Sequence, residues 1–148
     1  MHHSATRGSW EDSTGTRPRV LLEGGPEYPP SVIAPIIERH GFEVRTCEGP
    51  THEGGCDLLD DGTCALVDGA DVVVNMLSTP VEAPMVLDAV TGLRRPPGAV
   101  ATESAATSVS PPVAVIRGPV TKWKLMSAIH EALERSREES PAWGDGFC

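Results

Sequence analysis

The chain has 148 residues, 12 Lys and Arg against 21 Asp and Glu for a formal charge of −9, and 39% hydrophobic residues. That is the length and apolar content of one ordinary globular domain, with no run approaching the roughly 20 apolar residues that cross a bilayer and no apolar core of a secretory signal. A cytoplasmic protein is therefore expected, and the acidic balance opposes nucleic-acid phosphates and anionic membrane surfaces as partners.

Residues 1–17 are polar, rich in Ser, Thr and Gly, and follow neither a strand nor a helix period, which predicts a disordered N-terminal tail. The first strand is predicted at Arg19, Val20, Leu21 and Leu22, ending at Gly24 and Gly25. Val32, Ile33, Ile36 and Ile37 then repeat with the spacing of one helix face. Ser31 is a candidate cap for this helix, although Pro35 would then break a backbone bond, so the alternative is a start at Pro35 itself. Residues 42–46 alternate as a second, half-buried strand. The β-branched run of residues 70–74 reads as the central strand, covered on both faces.

Thr79, Pro80 and Glu82 follow it with the order of a capped helix start, and that helix is expected to run to about Arg95 with Val86, Val90 and Leu93 on one face. Residues 98–102 and 112–116 give a fourth and a fifth strand. A last helix is predicted over residues 121–137, with Trp123, Met126, Ile129 and Leu133 spaced along one side. Residues 138–148 read as a C-terminal tail in which Trp143, Phe147 and Cys148 carry the character that could dock. Strands alternating with helices define an α/β domain over residues 18–137, a doubly wound parallel sheet of five strands in the flavodoxin-like order 2-1-3-4-5.

Ligands of such sheets sit beyond the carboxyl ends of the strands. Those ends carry Glu23, Gly24 and Gly25 after the first strand, Asn75 and Met76 after the third, Thr102, Glu103 and Ser104 after the fourth, and Arg117 after the fifth. Here the chain resembles the receiver domain of bacterial response regulators. The run from Asp71 to Pro80 is similar, without gaps, to that family's third strand and its following loop, and residues 114–134 are similar to its last strand, basic residue, proline and closing helix. The resemblance implies an acidic pair after the first strand, a phosphoacceptor Asp after the third, a hydroxyl after the fourth and a Lys after the fifth. This chain has Glu23 and Gly24, Met76 (or Asn75 with a slip of one residue), Thr102 or Ser104, and Arg117 with Gly118 inserted before the proline. Neither a thioether nor a neutral amide forms an acyl phosphate, so the resemblance implies a pseudo-receiver that does not run the phosphoryl switch.

The stretch 47–71 stands where a receiver has its second helix and contains four glycines before Gly69, seven acidic residues and no Lys or Arg. A continuous helix is not expected there, since each glycine costs about 1 kcal/mol relative to alanine. Cys47, His52, Cys56 and Cys64 supply three thiols and an imidazole, the ligand count of a tetrahedral zinc site, though three thiolates equally suit part of an iron–sulfur cluster. A redox response and simple apolar packing are the other readings of these cysteines. The surrounding carboxylates oppose a reactive thiolate.

No Ser-His-Asp set, paired acid and base, or nucleotide fingerprint is present, so no catalytic residue is assigned and an enzyme is unsupported. Two functions follow as expectations. One is a signalling module that docks a protein partner or a second copy through a receiver-like face, with Lys122, Trp123 and Lys124 as contact residues. The other is a zinc-, iron–sulfur- or redox-responsive protein whose sensor is the cysteine loop.

Overall fold

The computed structural model describes residues 10–11, 13, 15–47, 56–62, 64–103, 105–106 and 113–139. Five strands form a single parallel sheet: β1 (Arg19–Glu23), β2 (Glu43–Cys47), β3 (Val72–Asn75), β4 (Gly98–Thr102) and β5 (Val113–Ile116), in the order β2-β1-β3-β4-β5. The expected order is thus the observed one. Its cause is legible in β1, β3 and β4, whose side chains are almost all buried because helices cover both faces.

One face packs under α1 (Pro30–Glu38) and α5 (Lys122–Glu139), where Val20, Leu22, Val72, Val74 and Val100 meet Ile37, Leu125, Ile129 and Leu133. The other packs under α2 (Asp57–Asp61), α3 (Ala65–Asp68) and α4 (Glu82–Thr91), where Leu21, Val73 and Ala99 meet Leu58, Leu66, Val86 and Val90. α5 lies directly on the start of β4. A β-carbon at Gly98 would stand 2.4 Å from the carbonyl oxygen of Ala132, so this crossing requires glycine.

Helix boundaries depart from the sequence expectations for local reasons. α1 begins neither at a Ser31 cap nor at Pro35: Pro29 occupies the cap in extended backbone, Pro30 takes the first helical position, and Pro35 is tolerated inside. Val32 and Ile33 both donate to the Pro29 carbonyl, and Arg39 donates to the Pro35 carbonyl, so the helix is sustained on either side of the missing bond. α4 starts at Glu82, later than its predicted cap. The Thr79 carbonyl accepts from the Ala83 amide, but the Thr79 hydroxyl is buried without a partner, so the expected side-chain cap does not form. The helix stops at Thr91, before the expected Arg95, because Gly92 follows. α5 agrees closely with its prediction, and the Thr121 hydroxyl accepts from the Lys124 amide at its head.

One anchor lies in the segment expected to be a disordered tail. Trp10 is buried, its indole Nε1 donates to the Leu66 carbonyl at 2.8 Å, and the guanidinium groups of Arg19 and Arg45 lie 5.4 and 5.1 Å from its ring. Gly69 makes room for it, since a β-carbon there would meet the indole at 2.5 Å. The ring closes the bottom of the α3 side of the core, and this long-range contact holds residue 10 against the domain. No helix among the described residues is long and apolar enough to cross a membrane.

Candidate functional site

The sheet register brings Glu23, Asn75 and Ala101 abreast at the carboxyl edge, with Cys47 beside Glu23 on its other flank. This is the edge where a ligand of such a fold would sit, and several of its side chains are engaged within the protein. Asn75 donates from Nδ2 to the Ala83 carbonyl at 2.9 Å and accepts the Leu77 amide on Oδ1 at 3.1 Å, so its amide ties the end of β3 to the first turn of α4. Met76 is fully buried and packs in the α1 and α5 side of the core, while its amide donates to the Glu23 carbonyl. Thr102 is buried, and its carbonyl accepts from the amides of Ala105 and Ala106. Ser104 lies outside the described residues.

Glu23 itself is 2% exposed, and its Oε1 has no hydrogen-bond partner. Burial pushes its carboxyl up to about 8, so at neutral pH it is a protonated acid inside the core. Gly24 does not supply the second acid of a receiver pair. Its amide donates to the Cys47 carbonyl, and a β-carbon would stand 2.5 Å from the Tyr28 carbonyl oxygen. Restoring the pair by Gly24→Asp is expected to lower the melting temperature by several degrees, because backbone must move to admit the side chain; calorimetry of the purified variant measures it.

Arg117 stands apart from these residues. Its guanidinium is exposed and lies 3.8 Å from the Glu103 carboxylate, another exposed group. The inserted Gly118 takes φ +68°, and its amide donates to the same carboxylate at 2.9 Å. The Lys124 ammonium reaches back from α5 to the carbonyls of Arg117 and Pro119, at 2.8 and 3.2 Å, and clamps the turn. Glu23, Asn75, Met76 and Thr102 are therefore gathered at one edge, whereas Arg117 belongs to the surface beside α5.

Cys47, Cys56 and Cys64 are buried, form no disulfide, and belong to the same core cluster as Leu58, Leu66 and Val67. The described part of the acidic stretch contains two single-turn helices, α2 and α3, with Cys56 and Cys64 at their caps and Gly62 in left-handed backbone after α2. Burial raises the Cys56 thiol; the backbone amides of Leu58 and Leu59 offset this in part, and Glu23 and Cys64 raise it further. Such a thiol is a poor nucleophile at neutral pH. Among the described residues no three His, Cys, Asp or Glu side chains are placed to hold a metal ion, and His52 lies outside them.

At the head of α5, Trp123 lies off the side that its spacing to Met126, Ile129 and Leu133 predicts. The buried side of the helix is built by Leu125, Met126, Ile129 and Leu133, and Trp123 leaves it to stand 80% exposed. Its ring separates two surface recesses. One, of about 440 Å³, is bordered by His40, Lys122, Met126, His130, Glu131 and Glu134; the other, of about 480 Å³, lies over β5 and is bordered by Val115, Arg117, Lys124, Ala128 and Glu131. His40 donates from Nδ1 to the Ile36 carbonyl at 2.9 Å, and the His130 ring packs on Phe42.

No protein-family model matches the sequence, and no curated protein matches it. Among solved structures, a response regulator receiver protein from Sinorhizobium medicae WSM419 superposes with a TM-score of 0.60 at 16% identity, over 82% of this chain and 98% of that one. A fusion that includes the trimeric coiled coil of yeast Spc42, amino acids 181–211, gives a TM-score of 0.57 at 13% identity, over 84% of this chain and 83% of that one. At these identities the likeness is one of fold, and the fold is that of a response-regulator receiver, flavodoxin-like in strand order.

Proposed function

We propose that this chain is a pseudo-receiver, a regulatory module that docks a protein partner without taking a phosphoryl group. The observation that carries the reading is the content of the carboxyl edge. Where the receiver resemblance implies a phosphoacceptor, this chain has Met76, whose fully buried thioether is no nucleophile toward phosphorus. Asn75 is committed to two hydrogen bonds, and Gly24 leaves no room for a second acid. Among the described residues, the positions to which the resemblance assigns the acidic pair and the acceptor carry Glu23 with Gly24, and Met76. The docking part of the reading is supported by Trp123, since a bare indole flanked by lysines has the composition of an interface anchor.

Incubation with acetyl phosphate and Mg²⁺, followed by intact-mass measurement, is expected to leave the mass unchanged. An added phosphoryl group that is lost at alkaline pH would overturn the first half of the reading. For the second half, a photoreactive residue at position 123 is expected to cross-link to a protein partner in native extract, while one at Met85, exposed on the opposite helical layer, does not. Equal cross-linking from both positions would sink the assignment of this face. Trp123→Ala is further expected to leave the melting temperature within about a degree of the parent, since the ring covers little of the core.

A further inference from the structure

We infer that the head of α5 accepts an acidic peptide segment carrying one large apolar side chain, which lodges beside Trp123 while its carboxylates face Lys122 and Lys124. The inference rests on the docking reading and specifies the chemistry of the partner.

Three observations carry it. The first is shape: Trp123 projects between two recesses of about 440 and 480 Å³, each large enough for one leucine- or phenylalanine-sized side chain against the ring. The second is local charge in a chain of −9. Lys122 and Lys124 flank the indole, and among the described residues neither has a carboxylate partner; the Lys124 ammonium is held by two carbonyls, which fix its position and leave its charge uncancelled. The third is that the carboxylates nearest the helix head are engaged, Glu103 with Arg117 and the Gly118 amide and Glu131 with Arg135 one turn on, while Glu134 borders the first recess about three turns along α5 from Lys122. The head of α5 around Trp123 is thus a small positive field on a negative molecule, and Glu134 leaves the far end of the first recess negative. Such a field selects an acidic segment and disfavours a basic one. Nucleic acid, which requires several phosphate contacts, is a poorer fit for two lysines.

The test uses the full chain and fluorescein-labelled short peptides of one scaffold: a central leucine flanked by Asp and Glu, by Lys and Arg, or by Ser and Gly. Fluorescence anisotropy is expected to show saturable binding of the acidic peptide. Binding should be lost in Trp123→Ala and weakened about fivefold in Lys122→Glu, the scale expected for reversing one exposed charge. Both side chains are exposed, so unchanged melting curves verify that the variants are folded. Acidic-peptide binding that is absent, or insensitive to Trp123→Ala, overturns the inference. Trp123-dependent binding of the basic or neutral peptide also overturns it but leaves the docking reading standing. Sedimentation showing self-association abolished by Trp123→Ala would instead assign the patch to a second copy. An oligothymidylate that binds as tightly as the acidic peptide would overturn the inference in favour of phosphate recognition.

Discussion

Trp10→Ala is expected to lower the folding free energy by about 3 to 5 kcal/mol, the usual loss for truncating a buried tryptophan to alanine. Four contacts made by one side chain account for the size of the effect: the buried ring surface, the Nε1 hydrogen bond to Leu66, and the stacking of Arg19 and Arg45. The two guanidinium groups sit on β1 and β2, and Leu66 belongs to α3, so the indole bridges the sheet to the helical layer. Urea unfolding followed by far-UV circular dichroism measures the loss without depending on the tryptophan removed. Trp10→Phe is the control, since it preserves most of the apolar packing and forfeits the hydrogen bond, with an expected cost of about 1 kcal/mol. A Trp10→Ala variant as stable as the parent would mean that the N-terminal segment contributes nothing to the domain.

That contact also marks where the sequence stops being informative. The β-branched run at Val72, Val73 and Val74 and the shorter run at Val20, Leu21 and Leu22 announce buried parallel strands by composition alone, and sheet order follows from the alternation of strands with helices. Trp10 carries no such signal: its partner Leu66 is 56 residues away, and the local sequence around it is polar. The position of Trp123 on its helix illustrates a different limit. A spacing of three to Met126 satisfies the helical period, but the buried stripe is centred on Leu125 and Ile129, which places position 123 on its flank. The cysteines illustrate a third limit. Ligand count and spacing are chemically suggestive, but whether Cys47, Cys56 and Cys64 coordinate or fill space is decided by tertiary packing, which residue identity does not carry. At the carboxyl edge, residue identity placed Glu23, Asn75 and Met76 at the ends of their strands, but it did not reveal that Glu23 is sealed from water.

The burial of Glu23 leads to the second large effect, a pH dependence of stability with a sign opposite to that of most carboxylates. The folded-state carboxyl lies near 8 against an ordinary value of 4.5, so between those values the unfolded chain releases a proton that the folded chain retains. Stability therefore falls as pH rises through this window, by about 1.4 kcal/mol per unit, which amounts to roughly 3 kcal/mol between pH 4.5 and pH 7. Below the window the buried acid is neutral in both states and the penalty disappears. Glu23→Met removes the titrating group and its unpartnered oxygen while keeping a side chain of similar length. The variant is expected to match the parent near pH 5, exceed it by about 3 kcal/mol at pH 7, and show no slope from this site between them. Glu23→Gln should lose the same slope but gain less, because a buried amide brings donors that also lack partners. The neighbouring Cys56 thiol is raised above its ordinary 9.0 and titrates beyond this window, so it does not produce the same signature. Urea titrations of the three proteins at pH 5, 6 and 7 decide the matter. A parent whose stability is flat or rising over that range relative to Glu23→Met would show that the carboxyl is ionised in the folded protein and that some group in the edge compensates it.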